Sequence, residues 1–108
     1  MSKKDVYTQE LDKLQAIFAD VEPSKAKLVQ GLIEDAAFLL AESHELKKII
    51  TGTGMVKVHP KHPDIQKPTE AAKQYLKNVN SYAVVIKTLN GVLNKSAIED
   101  DDELSEFE

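Results

Sequence analysis

Residues 24–50 read SKAKLVQGLIEDAAFLLAESHELKKII, and this stretch decides the fold. Leu28, Leu32, Asp35 or Ala36, Leu39, Ser43, Leu46 and Ile50 recur at alternating steps of four and three, the spacing of a heptad seam. A second stripe of Val29, Ile33, Ala37 and Leu40 widens the apolar face. A helix patterned this way buries more than one side. Thr51-Gly52-Thr53-Gly54 follows, and glycine supplies the left-handed residue with which helices commonly end.

Working outward, residues 68–94 carry a matching seam of Ala72, Tyr75, Val79, Tyr82, Ile86, Leu89 and Leu93. Pro68 suits the first helical position there, Glu70 favours the positive end of the helix dipole, and Gly91 marks a weak final turn. Upstream, Leu11, Leu14, Ile17 and Phe18, with Tyr7 a turn earlier, predict a short helix over 8–20. Val21, Glu22 and Pro23 break that pattern, and Ser24 or Asp20 is placed to cap the next helix. The connection over 51–67 is long for a compact domain. Its Met55-Val56-Lys57-Val58 forms at most a short strand or arm, and Pro60, Pro63 and Pro68 keep the remainder extended. The expectation is an all-α chain: a short N-terminal helix plus two long antiparallel helices, a helical hairpin joined by an extended connector. Two helices of about 27 residues span roughly 40 Å each. One short helix does not cover both seams, so Leu28, Leu32, Leu39, Leu46, Tyr75, Val79, Tyr82, Ile86 and Leu89 are expected at an interface between copies of the chain.

Composition bounds the chemistry. The chain has 108 residues, 42% hydrophobic and 30% charged, which suits one modest globular domain. With no cysteine, disulfides, thiol catalysis and Cys-ligated zinc are excluded. No apolar run approaches the length of a membrane span, and no apolar segment follows Lys3 and Lys4 as in a secretory signal, so a cytoplasmic protein is expected. The net charge of -4 conceals three blocks: -4 over residues 1–46, +7 over 47–95 and -7 over 96–108. Residues 1–95 accordingly read as a single domain and 96–108 as an acidic, disordered tail. Leu104 and Phe107, three apart within that tail beside Glu103, suit a single helical turn laid in a partner's groove. Every basic residue is lysine, which argues against bidentate guanine readout and against an arginine finger.

No constellation for catalysis stands out. His59 and His62 are each followed by proline, which forbids the helix that would aim both at one metal, so neither metal nor cofactor is expected. Gly52 and Gly54 lack the Lys-Ser/Thr sequel of a phosphate loop. Glu34 and Asp35 are neighbours on a helix and point apart. The chain is therefore expected not to be an enzyme. The lysine block is the feature with a ligand to offer: Lys57, Lys61, Lys67, Lys73 and Lys77 suit the neutralisation of phosphates without sequence readout. A solvated face that pairs with the acidic first half of another copy is the competing reading. Tyr75 and Tyr82, seven apart on the seam, read as core rather than as base-stacking platforms.

The run Ile49-Ile50, Gly54, His59-Pro60, a lysine-bearing linker, Ala71-Ala72, Tyr75-Leu76, Tyr82, Ile86 and Leu89 resembles the small subunit of tailed-bacteriophage terminase. The similarity is to the short form from phages of Gram-positive hosts and covers about half of the chain, from Ile49 to Lys95. The resemblance implies a non-catalytic DNA-packaging adaptor that assembles into a homo-oligomeric ring. It further implies contact with double-stranded viral DNA through the lysines and recruitment of the large terminase subunit, here by Glu103, Leu104 and Phe107. The alternative is a helical protein–protein interaction scaffold or regulator with no nucleic-acid role.

Overall fold

The structure, a computed structural model, describes the backbone of residues 1–106 and the side chains of residues 1–94. Three helices and one small hairpin follow in the order α1 (Lys3–Ile17), α2 (Ala26–Thr53), β1 (Val56–Val58), β2 (Gln66–Pro68) and α3 (Glu70–Glu106).

α1 starts earlier than its apolar pattern predicts because Ser2 and Asp5 close a capping box. The Ser2 hydroxyl accepts from the Asp5 N–H at 3.1 Å, and the Asp5 carboxylate accepts from the Ser2 N–H at 3.3 Å. The Ser2 hydroxyl holds the Asp5 carboxyl below the usual carboxylate range. Moving the start upstream also brings Val6 and Glu10 onto the buried face beside Leu14. α2 has no side-chain cap from Ser24 or Asp20; backbone turns from Glu22 to Lys25 and from Pro23 to Ala26 lead into it instead.

The helices alternate in direction. Lys3 reaches Glu42 at 2.6 Å while Gln15 meets Gln30 at 3.4 Å, so α1 descends as α2 climbs. Lys47 sits over the Tyr75 ring while Ile33 shares the core with Leu89, which makes α3 antiparallel to α2. The core lies between these helices: Leu14, Phe18, Val29, Ile33, Ala36 and Leu89 are buried together, with Ile33 at 2% and Leu89 at 0% exposure. Alanines at 36, 37 and 41 let the backbones approach closely. The result is long and thin, 73 × 29 × 16 Å with a radius of gyration of 19.5 Å. A compact chain of this length would have a radius near 13 Å.

Two expectations are corrected. The connector holds the short strand expected at 55–58 but folds back on itself: β1 and β2 pair antiparallel, with Val56 opposite Pro68, Lys57 opposite Lys67 and Val58 opposite Gln66. Pro68 therefore belongs to a strand edge, where its missing N–H costs nothing, and does not open α3. The third helix does not stop at Asn94. No proline or glycine follows Gly91, and helical backbone runs through Glu106, so the acidic segment continues α3 where a disordered tail was expected.

Candidate nucleic-acid interface

The candidate site lies at the end of the molecule where α2 hands over to α3. Gly54 makes the exit from α2 with φ 81° and ψ 167°, a region only glycine occupies without strain, and its N–H bonds the Ile50 carbonyl at 2.6 Å. Thr69 then ties the far side shut. Its N–H donates to the Met55 carbonyl at 2.9 Å and its hydroxyl donates to the Gly54 carbonyl at 3.2 Å. The same hydroxyl accepts from the Ala72 N–H at 3.2 Å, capping α3. One side chain thus closes the hairpin and starts the helix.

The hairpin tip is organised by His59. Its Nδ1 accepts from the backbone N–H groups of Lys61 (3.1 Å) and His62 (3.2 Å), a local turn of the kind Asn and Asp side chains make. The two imidazole rings lie 5.1 Å apart at 40°. The Nδ1 lone pair is spent on the turn. No group of three or more histidine, cysteine, aspartate or glutamate side chains able to hold a metal occurs among the described residues.

Lysines decorate this end. Lys57 and Lys67 face each other directly across the two strands. Both line a shallow groove with Ile49, Thr53, Pro68, Lys73 and one carboxylate, Glu70. Neither has a carboxylate within ion-pair distance among the described residues, and the same holds for Lys61 at the tip and for Lys77 on α3. Lys73 is bridged to Glu70 at 3.2 Å and Lys48 to Glu45 at 3.3 Å, both pairs out in solvent. Like charges directly opposite on a strand pair repel, by a few tenths to 1 kcal/mol. Of the five lysines expected to meet phosphate, the fold brings Lys57, Lys67 and Lys73 into one groove, with Lys61 at the hairpin tip and Lys77 one turn along α3.

The residues expected between copies divide. Leu89 is wholly buried inside the single chain, and Leu32, Tyr82 and Ile86 pack against the same core. Leu39, Leu46 and Tyr75 are half-buried, whereas Leu28 and Val79 remain exposed. Leu76, Val79 and Ala83 form an exposed strip on α3 that Ile86 extends, and Phe38, Leu28 and Ile49 stand out from α2. Tyr82 is anchored rather than displayed. Its hydroxyl donates at 2.8 Å to Glu10, a carboxylate 4% exposed that Lys13 also bridges at 3.0 Å. Burial first, then this bond to Glu10, pushes the Tyr82 phenol up to about 12. Glu103 and Leu104 lie on the helical backbone of α3, and Phe107 lies outside the described residues.

The pairing of Lys57 with Lys67 and the double role of Thr69 were not anticipated from the sequence. Thr69 had a visible signal, a capping residue just ahead of Glu70; the strand pairing had none beyond two short β-prone runs. No family of known proteins, no curated protein and no solved structure matches this chain. No helix among the described residues is long and apolar enough to cross a membrane.

Proposed function

We propose that this chain is a non-catalytic, self-associating adaptor that binds double-stranded DNA through the lysines of its hairpin end. Its role on this reading is that of a small terminase subunit in viral genome packaging, in the cytoplasm of an infected host. The observation that carries the DNA-binding step is Lys57 set against Lys67, neither with a carboxylate within ion-pair distance among the described residues. Placed so, the pair works against the hairpin that bears it, whereas a phosphate between the two ammonium groups turns repulsion into attraction. Lys61 at the tip, and Lys73 and Lys77 along the first turns of α3, extend the positive track. Single contacts of this kind are weak. Repetition around a ring of copies multiplies them through effective concentration. The exposed strip of Leu76, Val79 and Ala83 supplies apolar surface for such assembly, and the acidic end of α3 with Glu103, Leu104 and Phe107 is assigned to the large terminase subunit.

The test is titration of a duplex of about 30 base pairs by fluorescence anisotropy at several salt concentrations. Phosphate neutralisation predicts that log K falls with log salt by roughly 0.9 per contact. Lys57→Gln/Lys67→Gln is expected to lower affinity for every duplex sequence alike and to flatten that slope by about 2. Unchanged affinity in this variant would sink the reading. The scaffold alternative draws its support from the exposed Phe38, Leu76 and Val79. It predicts assembly by light scattering with no DNA binding even at low salt.

A further inference from the structure

Charge on α3 is sorted along its axis. Lys73, Lys77 and Lys87 occupy its first half, and Glu99, Asp100, Asp101, Asp102, Glu103 and Glu106 its last turns. A helix rises ~1.5 Å per residue, so Lys73 and Asp101 stand about 42 Å apart on a straight axis. Lys57 and Lys67 share their groove with Lys73, at the same end. While α3 stays helical, the acidic end of a chain therefore does not meet that chain's own hairpin lysines.

Ile33 and Leu89 are level in the core. With antiparallel helices of equal rise, Ala26 at the start of α2 is then level with about residue 96 of α3. From there to Glu106, α3 runs past the start of α2. One molecule thus carries a lysine-rich end, where Asp64 and Glu70 are outnumbered by Lys57, Lys61, Lys67, Lys73 and Lys77, and an acidic run with no lysine after Lys95, on opposite extremities.

We infer that the acidic end of α3 in one copy docks on the lysine-bearing hairpin of a second copy. Charge complementarity selects the occupant. Six carboxylates meet Lys57, Lys61 and Lys67, none of which has a carboxylate partner among the described residues. The contact joins chains end against hairpin and weakens as salt screens it. On the DNA-binding reading above, which this consequence alone relies upon, the same carboxylates occupy the phosphate sites and compete with DNA between molecules rather than within one.

The experiment uses the full chain without DNA, so its failure is separable from failure of the DNA-binding reading, which has its own titration. Sedimentation equilibrium is run at 50 mM and 500 mM NaCl on the wild type, on Lys57→Glu/Lys67→Glu and on Asp100→Lys/Asp101→Lys/Asp102→Lys. Self-association of the wild type is expected to weaken at least about tenfold at high salt, and each variant alone to be weaker than wild type by a similar factor at low salt. An equimolar mixture of the two variants is expected to regain wild-type association, because each supplies the end the other has reversed. Far-UV circular dichroism checks that both variants keep wild-type helix content, and Lys57→Gln/Lys67→Gln or Asp100→Asn/Asp101→Asn/Asp102→Asn replaces a variant that does not, with each such variant expected to weaken association by itself. A wild type that stays monomeric at 50 mM NaCl overturns the proposal. Variants that associate like wild type overturn it too, and so does a mixture of folded charge-reversed variants that stays dissociated.

Discussion

The helical body and the hairpin at its end are held together by different forces. In the body, Ile33, Ala36 and Leu89 are removed from water and stability comes from close packing. In the hairpin, every residue from Thr51 to Pro68 is exposed, and order comes from backbone bonds, the His59 turn and the Thr69 clasp. A two-stranded hairpin is marginal by itself. This one persists because the antiparallel α2 and α3 deliver its two ends to the same place. The contrast teaches where function has room to act: body side chains are committed to each other, while the hairpin lysines Lys57, Lys61 and Lys67 have no ion-pair partner among the described residues.

The sharpest way to break the comparison is at its packed side. Leu89→Ala opens a void beside Ile33 and is expected to cost about 2–5 kcal/mol by urea denaturation. Hydrogen exchange at the His59 amide, bonded to Ile65 at 3.0 Å, should keep its protection relative to the folded fraction.

Tyr82→Phe comes next, at about 1–3 kcal/mol, because it strips the buried Glu10 of one of its two partners. This variant also carries a pH signature. The Tyr82 pKa rises from 10.0 in the unfolded chain to about 12 in the fold, so between those values the folded state holds the proton more tightly. Stability from this group is fully present below about 10 and is lost as pH rises towards about 12. Denaturation midpoints across that window should fall more steeply for wild type than for the variant. Equal slopes would mean that burial and the bond to Glu10 do not raise the phenol's pKa in the fold.

Gly54→Ala tests the junction between the two regions. The Cβ meets only the Val56 carbonyl oxygen at 3.8 Å, an ordinary contact, so the expected loss of about 1–3 kcal/mol is backbone strain alone. The smallest effect belongs to the hairpin. Lys57→Glu converts a repelling pair with Lys67 into an attracting one and should stabilise the hairpin by a few tenths to about 1 kcal/mol. Slower exchange of the His59 amide is the readout. A variant that tightens the hairpin while weakening DNA binding would separate the two regions by function as well as by force.

Much of the body was legible in the residues alone. The stripe from Leu28 to Ile50 announced α2, and the observed helix exceeds it by one turn at its C-terminal end. The seam from Ala72 to Leu93 announced α3 but not its length, since apolar periodicity fades in the acidic run and says nothing about where a helix with no stop signal ends. The start of α1 was misjudged because capping by Ser2 and Asp5 overrides a pattern counted only in apolar residues. At the candidate site, the lysines were visible one by one, whereas their opposition across two strands was not.

Local patterning determined three helices, the glycine exit at Gly54 and the segregation of charge, because each depends on residues a few positions apart. Only the tertiary structure decided which face of each helix meets another. Leu28 and Leu89 both occupy seam positions, yet the first is 60% exposed and the second 0%. Which neighbour covers a seam is settled by packing between segments far apart in the chain, and the same long-range closure of α2 on α3 is what sets Lys57 against Lys67.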